Sequence, residues 1–115
     1  YESVLGLPRI PTPPEVAMFR LGATWLSLFP REALAADAGV PAAGGGFPGF
    51  ALAHNVRSPE AVDRLLAEVA AGGARIVRAA HQAEWGGYSG YFADPDGFLW
   101  EVAWNPEFPI DPAGE

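Results

Sequence analysis

A single glutamate in an otherwise apolar segment is the strongest candidate for a reactive side chain in this sequence. Residues 98–104 read Phe-Leu-Trp-Glu-Val-Ala-Trp. Because side chains alternate across a strand, Trp100 and Trp104 should pack on a helix, and Glu101 should point the opposite way, to the other face of the strand. A carboxylate buried there is costly unless it is paired, metal-bound or protonated. The pattern therefore predicts a catalytic role for Glu101, with a solvent-facing strand glutamate as the alternative.

Aromatic residues separated by glycines form the second feature of chemical interest. Residues 84–91 read Glu-Trp-Gly-Gly-Tyr-Ser-Gly-Tyr. Rings between glycines can form a wall that a flat or apolar ligand approaches closely. The same pattern is equally typical of an aromatic core cluster with glycines for strand curvature. The side chains predicted to bind substrate are Trp85, Tyr88 and Tyr91, with Phe19 and Trp25 on the opposite wall.

The two histidines are weaker candidates than Glu101. His54 lies in a predicted strand at residues 50–56, on the apolar face that should meet a helix, so we expect a core or edge histidine. A one-residue bulge would turn it to the other face of its strand, as a weak metal ligand. Asn55 lies on the other face and is a candidate for binding substrate. His81 and Glu84 fall in a predicted loop and are expected to be solvated.

Composition excludes several classes of function. The net charge is −7, and all seven basic residues are scattered arginines, whereas phosphate binding needs clustered cations. We therefore expect no nucleic-acid partner. The absence of cysteine excludes disulfides and thiolate chemistry and fits a cytoplasmic protein. No signal peptide is visible in the sequence. No apolar run reaches about 18 residues, so we expect no membrane partner.

Turn and cap residues predict the strands and helices that must position these side chains. Prolines limit residues 7–14 to a short edge strand. Segments 15–21 and 24–29 flank a two-residue Gly-Ala turn and predict a hairpin. A short helix opens at Pro30 and is stopped by Gly39. The first half thus contains three strand-like segments and then a helix.

The second half predicts a strand, a helix and three more strands. Ser58 is suited to cap the helix, Pro59 to its first position, and Gly72 to its end. A linker rich in Gly, Pro and Ala separates the halves at residues 40–48. The predicted strands of this half lie at residues 50–56, 75–79, 87–93 and 98–104.

Residues 87–102 resemble the end of a vicinal oxygen chelate domain, the superfamily of glyoxalases, bleomycin-resistance proteins and dioxygenases. In that family a strand ends in Asp-Pro-(Asp/Asn)-Gly, and a glutamate follows four residues after the glycine. Here residues 94–97 are Asp-Pro-Asp-Gly, and Glu101 lies four after Gly97. The opening residues 1–7, Tyr-Glu-Ser-Val-Leu-Gly-Leu, are similar to a helix end near the start of such proteins. The resemblance covers nearly the whole chain.

The resemblance implies an α+β fold of two βαβββ modules whose curved mixed sheets surround a cavity. On this interpretation residues 1–115 form one glyoxalase-like domain, and we expect further chain before Tyr1. Members often pair modules within or between chains, so we also expect a homodimer. The predicted parts are an incomplete first module lacking its first strand (1–39), a linker (40–48), the second module (49–105) and a tail (106–115).

A metal site is the next property that the resemblance raises. In metal-dependent members, inward-facing positions on the first and last strands of both modules supply His or Gln, Glu, His and Glu. Such ligands suit nickel, zinc, iron or manganese. Glu101 matches the last position, but Ala51 and Ser27 stand at two others, and the first position is not in this sequence. A divalent metal is possible, and we favour a metal-free site over it.

Three functions remain open from the sequence. The first is an enzyme of lyase, isomerase or dioxygenase type, in which Glu101 or a metal acts on a small molecule next to a carbonyl. The second is a metal-free protein that sequesters a drug or metabolite, which the aromatic segment and the acidic charge favour. The third is a module without activity of its own. The family resemblance implies a small-molecule partner but does not choose among these functions.

Overall fold

The computed structural model describes residues 6–44 and 47–107, which form two β-sheets and two helices. The first sheet is antiparallel with strand order β1-β2-β3, and the second holds four strands in the order β4-β7-β6-β5. The predicted α+β class is confirmed. The elements are β1 (Arg9–Ile10), β2 (Ala17–Leu21), β3 (Thr24–Leu28), α1 (Arg31–Ala38), β4 (Leu52–Asn55), α2 (Pro59–Ala71), β5 (Arg75–Gln82), β6 (Tyr88–Ala93) and β7 (Leu99–Trp104).

The first sheet is the predicted hairpin with a short edge strand. β2 and β3 pair antiparallel around the turn, with Leu21 opposite Thr24. Gly22 in this turn has a φ of 76°, a conformation that favours glycine. β1 spans only Arg9–Ile10, because the surrounding prolines lack the N–H that a longer strand would need.

The second sheet is mixed and follows the predicted order of strand, helix and three strands. β4 runs parallel to β7, and β5, β6 and β7 pair antiparallel. The parallel pair requires a crossover, which α2 supplies. This connection places β4 beside β7, so the residues flanking Glu101 come from β4 on one side and β6 on the other.

The helix α2 begins and ends where the cap residues predict. The Ser58 hydroxyl accepts a hydrogen bond from the Ala61 backbone N–H at 3.1 Å, and Pro59 occupies the first turn. The helix closes at Gly72. Its apolar side packs on one face of the second sheet, where Val62 and Leu66 meet Val102 in a buried cluster.

The helix α1 lies on the opposite face of the same sheet. It follows Pro30 and ends at Gly39, whose φ of 77° gives the left-handed C-cap. Its buried residues are Ala35 and Ala38, which form a cluster with Phe47 and with residues of β6 and β7. The second sheet is therefore covered by a helix on each face.

Two predicted strand boundaries were wrong. β5 continues three residues past the predicted end at residue 79, because it pairs with β6 and places His81 opposite Ser89. His81 therefore lies in a strand and not in a loop. Polar residues can extend an edge strand in this way, since one side of it has no neighbour. β4 is shorter than residues 50–56, because only Leu52–Asn55 pair with β7.

Some predictions fall outside the described residues. Residues 1–5 of the helix end predicted at residues 1–6, and residues 108–115 of the tail predicted at residues 106–115, belong to this group. Within the described part of the chain, no helix has the length and hydropathy that crossing a membrane requires.

Candidate functional site

Glu101 occupies the middle of β7 on the face that carries α1. Its strand neighbours are Ala53 on β4 and Tyr91 on β6. Val102, the next residue, belongs to the α2 cluster on the other face. The structure thus has the alternation expected from the sequence, with a carboxylate on the face away from the bulky apolar side chains.

The helix α1 brings a second carboxylate to this face. The Tyr91 hydroxyl donates a hydrogen bond to Oδ2 of Asp37 at 2.6 Å, and Tyr91 is 1 % exposed. Tyr91 is also the register partner of Glu101. Asp37 was not predicted from the sequence as a residue of this face. The available signal was its position, because an acidic side chain in the last turn of a helix is disfavoured by the helix dipole and suggests a tertiary partner.

Arg78 of β5 holds the C-terminal end of α1. Its Nη1 donates to the carbonyl oxygens of Ala36 at 3.3 Å and Asp37 at 2.5 Å. A cation is favourable at this end of a helix, where the last carbonyls have no partner within the helix. The role of Arg78 was also not predicted, because no local signal in the sequence links it to Ala36 and Asp37, which lie 42 and 41 positions earlier.

The surroundings of Glu101 raise its pKa from 4.5 to about 7. Burial is the main cause, because it penalises the charged form. The negative charge of Asp37 raises the pKa further, and the Ser89 hydroxyl lowers it. A carboxyl group with this pKa is present in both protonation states at neutral pH, so it can either accept or donate a proton.

Ser89 is a fully buried hydroxyl on β6. Its Oγ meets no partner in full hydrogen-bond geometry among the described residues. The weak hydrogen bond that it offers the Glu101 carboxyl favours the charged form and lowers the pKa of that group.

Tyr91 stays protonated and serves as a hydrogen-bond donor. Its pKa is raised first by burial, then by the charge of Glu101 and by the hydrogen bond to Asp37, with Arg78 opposing these effects. The face therefore presents a titrating carboxyl group beside a fixed hydroxyl donor.

The aromatic residues predicted to form one wall are not brought together. Tyr88 lies on the α2 face, where its hydroxyl donates to Oδ1 of Asp63 at 2.7 Å. Tyr88 and Tyr91 are separated by three positions, an odd spacing that places them on opposite faces of a strand. Trp85 is 47 % exposed in the turn before β6, against Gly87.

The other predicted substrate-binding residues lie apart from Tyr91. Asn55 is exposed at the end of β4, on the same face as Ala53 by alternation and two residues further along the strand. Trp25 lies in the first sheet, where the Arg20 guanidinium is 5.1 Å from its ring centre. Asn55 is therefore close to the Glu101 strand, and Trp25 belongs to a different sheet.

His54 lies on the face opposite Glu101. It pairs with Val102 in an uninterrupted register, so no bulge turns it toward the other face. It borders a shallow groove of about 410 Å³ beside α2. The other lining residues of this groove are Leu65, Val69, Phe92, Asp94 and Trp100.

The side chains around Glu101 do not fit a metal centre. No three His, Cys, Asp or Glu side chains converge anywhere in residues 6–44 and 47–107. Glu101 has Asp37 as a second carboxylate, whereas its β4 neighbour is Ala53. A protein site for nickel, zinc, iron or manganese needs more donors than this face supplies.

Comparison with known proteins identifies relatives of this chain. Residues 1–102 match the family described as Glyoxalase/Bleomycin resistance protein/Dioxygenase superfamily. A glyoxalase-related enzyme from Fulvimarina pelagi is 36 % identical, with a TM-score of 0.57, over 100 % of this chain and 82 % of that one. No curated protein matches.

Two further solved structures share the fold at lower identity. A protein from Legionella pneumophila described as an NAD-dependent benzaldehyde dehydrogenase is 24 % identical, with a TM-score of 0.72, over 90 % of this chain and 83 % of that one. A glyoxalase/bleomycin resistance protein/dioxygenase family enzyme from Burkholderia phytofirmans PsJN is 23 % identical, with a TM-score of 0.50, over 90 % and 84 %. At these identities the likeness concerns the fold alone.

Proposed function

Because the chain belongs to the glyoxalase/bleomycin resistance protein/dioxygenase superfamily, we propose that it binds a small organic molecule on the Glu101 face of the second sheet. Glu101 then transfers a proton to or from that molecule. The observation that carries this proposal is a largely buried carboxyl group whose pKa is raised to about 7. A group with that pKa is well matched to general acid–base catalysis near neutral pH.

The reaction that suits this group is proton transfer next to a carbonyl. In its carboxylate form, Glu101 accepts a proton from the carbon beside the carbonyl, and the electron pair of the broken C–H bond moves toward the carbonyl oxygen. The protonated carboxyl group then returns the proton to the same carbon. In an α-hydroxy carbonyl compound it can instead return it to the former carbonyl carbon, after the hydroxyl proton has moved to the former carbonyl oxygen. An isomerase or lyase of this type needs one base in the right place, and Glu101 is the residue best placed for it.

The proposed reaction uses no metal. The support is the donor set, in which Glu101 and Asp37 lack a third ligand among the described residues. Tyr91 is the register partner of Glu101, and its hydroxyl becomes available as a hydrogen-bond donor on the same face once it leaves Asp37. Such a donor can stabilise negative charge that develops on a substrate oxygen.

The experiment measures exchange of carbon-bound protons in D₂O. Hydroxyacetone and a panel of related α-hydroxy ketones and aldehydes are followed by proton NMR across the neutral pH range. We expect the rate to rise through about pH 7, as Glu101 becomes a carboxylate, and Glu101→Gln to lower it about a hundredfold or more. Exchange that is unchanged in Glu101→Gln, or no faster than in buffer, contradicts the proposal.

A matched control separates loss of the base from loss of charge. Glu60→Gln makes the same chemical change in the first turn of α2, where the side chain is exposed. We expect this variant to keep the wild-type rate. Binding of a carbonyl compound without any exchange would instead support the alternative function, sequestration of a drug or metabolite.

A cytoplasmic homodimer is part of this proposal. The lack of cysteine supports a reducing compartment. The edge strand β4 supports self-association, because all four of its residues are exposed. Light scattering of the purified chain measures its oligomeric state, and a monomer at micromolar concentration would contradict the dimer.

A further inference from the structure

We infer that the Tyr91 hydroxyl and the Arg78 guanidinium form a binding subsite for the carboxylate of a small organic acid. In the present structure α1 fills this subsite, because the Asp37 carboxylate accepts from Tyr91 and the backbone carbonyls of residues 36 and 37 accept from Arg78. The inference deepens the proposed function, because it names the ligand class of the Glu101 face, and it rests on that face being the ligand site.

The contact between Tyr91 and Asp37 has the properties of a ligand contact. Its donor belongs to the middle of a four-stranded sheet, and its acceptor lies on a short helix 54 positions away in the sequence. The distance of 2.6 Å is that of a strong hydrogen bond from a hydroxyl to an ionised oxygen. Tyr91 is 1 % exposed with α1 in place, so Asp37 is the acceptor that satisfies this hydroxyl in the closed structure.

Arg78 supplies the positive charge of the subsite. Its guanidinium donates to the backbone carbonyls of residues 36 and 37, and Arg78 is the register partner of Tyr91 on the neighbouring strand. Both carbonyls belong to α1. If α1 moves away, the guanidinium loses these acceptors, while the pairing of β5 with β6 keeps Arg78 next to Tyr91. A guanidinium next to a hydroxyl donor is well suited to a carboxylate.

The helix that carries Asp37 makes a smaller apolar contact with the sheet than α2 does. α1 has eight residues, and its contact with the sheet consists of the buried Ala35 and Ala38 and the partly buried Leu34. A helix of this length is not stable on its own. Gly39 at its C-terminal end has a positive φ, as do Gly44 in the linker that follows and Gly49 just after the linker. Local detachment of α1 therefore requires few contacts to break.

The space under α1 defines the rest of the ligand. Ala35 and Ala38 pack on an apolar surface that includes Ala93 and Leu99. A ligand that replaces α1 should therefore carry a small apolar body beside its carboxylate. Since Tyr91 is the register partner of Glu101, a carboxylate on Tyr91 places that body next to the titrating carboxyl group.

The test compares phenylacetate with phenylacetamide, its neutral analogue, by calorimetric titration. Asp37→Ala removes the internal carboxylate, so we expect this variant to bind phenylacetate at least tenfold more tightly than the wild type. Phenylacetamide should gain nothing. Adding Tyr91→Phe to Asp37→Ala should abolish the gain. Equal phenylacetate affinity in the wild type and Asp37→Ala, or an equal gain for the amide, would overturn the inference.

The chain offers a matched control on the other face. Asp63 of α2 accepts a hydrogen bond from Tyr88 at 2.7 Å, as Asp37 does from Tyr91. Asp63→Ala therefore removes the same kind of contact from a place where no site is proposed. We expect this variant to bind phenylacetate as the wild type does, and a gain equal to that of Asp37→Ala would mean that the effect is not specific to the subsite.

A second measurement covers the case in which Asp37→Ala does not fold. The chain has no cysteine, so Ala38→Cys introduces a single thiol, at a fully buried position on the side of α1 that faces the sheet. Phenylacetate should accelerate its labelling by a thiol reagent, because the ligand stabilises the state in which α1 has moved. Val62→Cys, which places a thiol at an equally buried position on the sheet-facing side of α2, should be labelled at the same rate with and without phenylacetate. No acceleration at position 38, or equal acceleration at both, contradicts the inference.

These measurements are independent of the proposed proton transfer. They record binding and the movement of α1, whereas the exchange experiment records the action of Glu101. Phenylacetate binding without ketone exchange would remove the proposed function and keep the subsite. Exchange that depends on Glu101, without any gain in Asp37→Ala, would keep the function and remove the subsite.

Discussion

The two faces of the four-stranded sheet are each covered by a helix, but the two contacts differ in kind. On the α2 face, Val62 and Leu66 pack on Val102, with further apolar side chains around them. On the α1 face, two buried alanines and the partly buried Leu34 make the helical part of the contact. Because stabilisation grows with the apolar area removed from water, the α2 face contributes more to the stability of the fold.

The buried polar groups lie mainly on the α1 face, which has the smaller apolar contact. Each face has a tyrosine that donates to an aspartate of its helix, yet the bond between Tyr88 and Asp63 is exposed and the one between Tyr91 and Asp37 is partly buried. Glu101 and the buried Ser89 also lie on the α1 face. The face with the smaller apolar contact thus carries the groups that are costly to bury, as expected where function is favoured over stability.

The largest expected effect tests the α2 face. Leu66 is almost fully buried between α2 and the sheet, so Leu66→Ala should lower the free energy of unfolding by about 3 kcal/mol. Leu34→Ala, on the partly buried side of α1, should lower it by about 1 kcal/mol. Urea unfolding followed by circular dichroism measures both. Equal losses would show that the two helices stabilise the sheet alike.

The second effect concerns the pH dependence that the α1 face imposes on stability. The pKa of Glu101 is higher in the folded protein, at about 7, than its ordinary value of 4.5. Glu101 therefore favours folding fully below about pH 4.5, and this contribution is lost as the pH rises through about 7. At complete burial the loss would be about 3 kcal/mol. Because part of Glu101 is exposed, we expect about 2 kcal/mol.

Glu101→Gln isolates this contribution, because glutamine does not titrate. The unfolding free energy of the wild type, minus that of Glu101→Gln, should fall by about 2 kcal/mol between about pH 4 and about pH 8. Glu68→Gln on the exposed side of α2 is the control, and its difference from the wild type should change less. If the unfolding free energies of the wild type and Glu101→Gln changed with pH in parallel, Glu101 would make no pH-dependent contribution, and the α1 face would not differ from the α2 face in this respect.

Much of the second module could be predicted from the sequence, because its signals are local. Ser58, Pro59 and Gly72 act within one helix, and the alternation around Glu101 is a property of one strand. These features need no knowledge of distant partners. The end of β5 was mispredicted for the converse reason, since it depends on pairing with β6 and not on its own polar residues.

The candidate site was only partly predictable. Glu101 could be proposed as a candidate because its motif and its strand are contiguous in the sequence. Asp37 and Arg78 were missed because their roles depend on α1 lying over the sheet, a contact between residues 41 or more positions apart. The predicted aromatic wall failed to assemble for a local reason. Tyr88 and Tyr91 differ by an odd number of positions, and strand alternation separates them.

The smallest expected effect sharpens the comparison between the faces with one pair of variants. Tyr91→Phe removes the donor from the Asp37 carboxylate at a buried site, so it should lower the free energy of unfolding by about 1.5 kcal/mol. Tyr88→Phe makes the same change where water can replace the donor, and should cost under about 0.5 kcal/mol. Thermal and urea unfolding measure both variants. If Tyr88→Phe lowered the free energy of unfolding as much as Tyr91→Phe, burial would not distinguish the two contacts. The polar contact on the α1 face would then not differ in strength from the one on the α2 face.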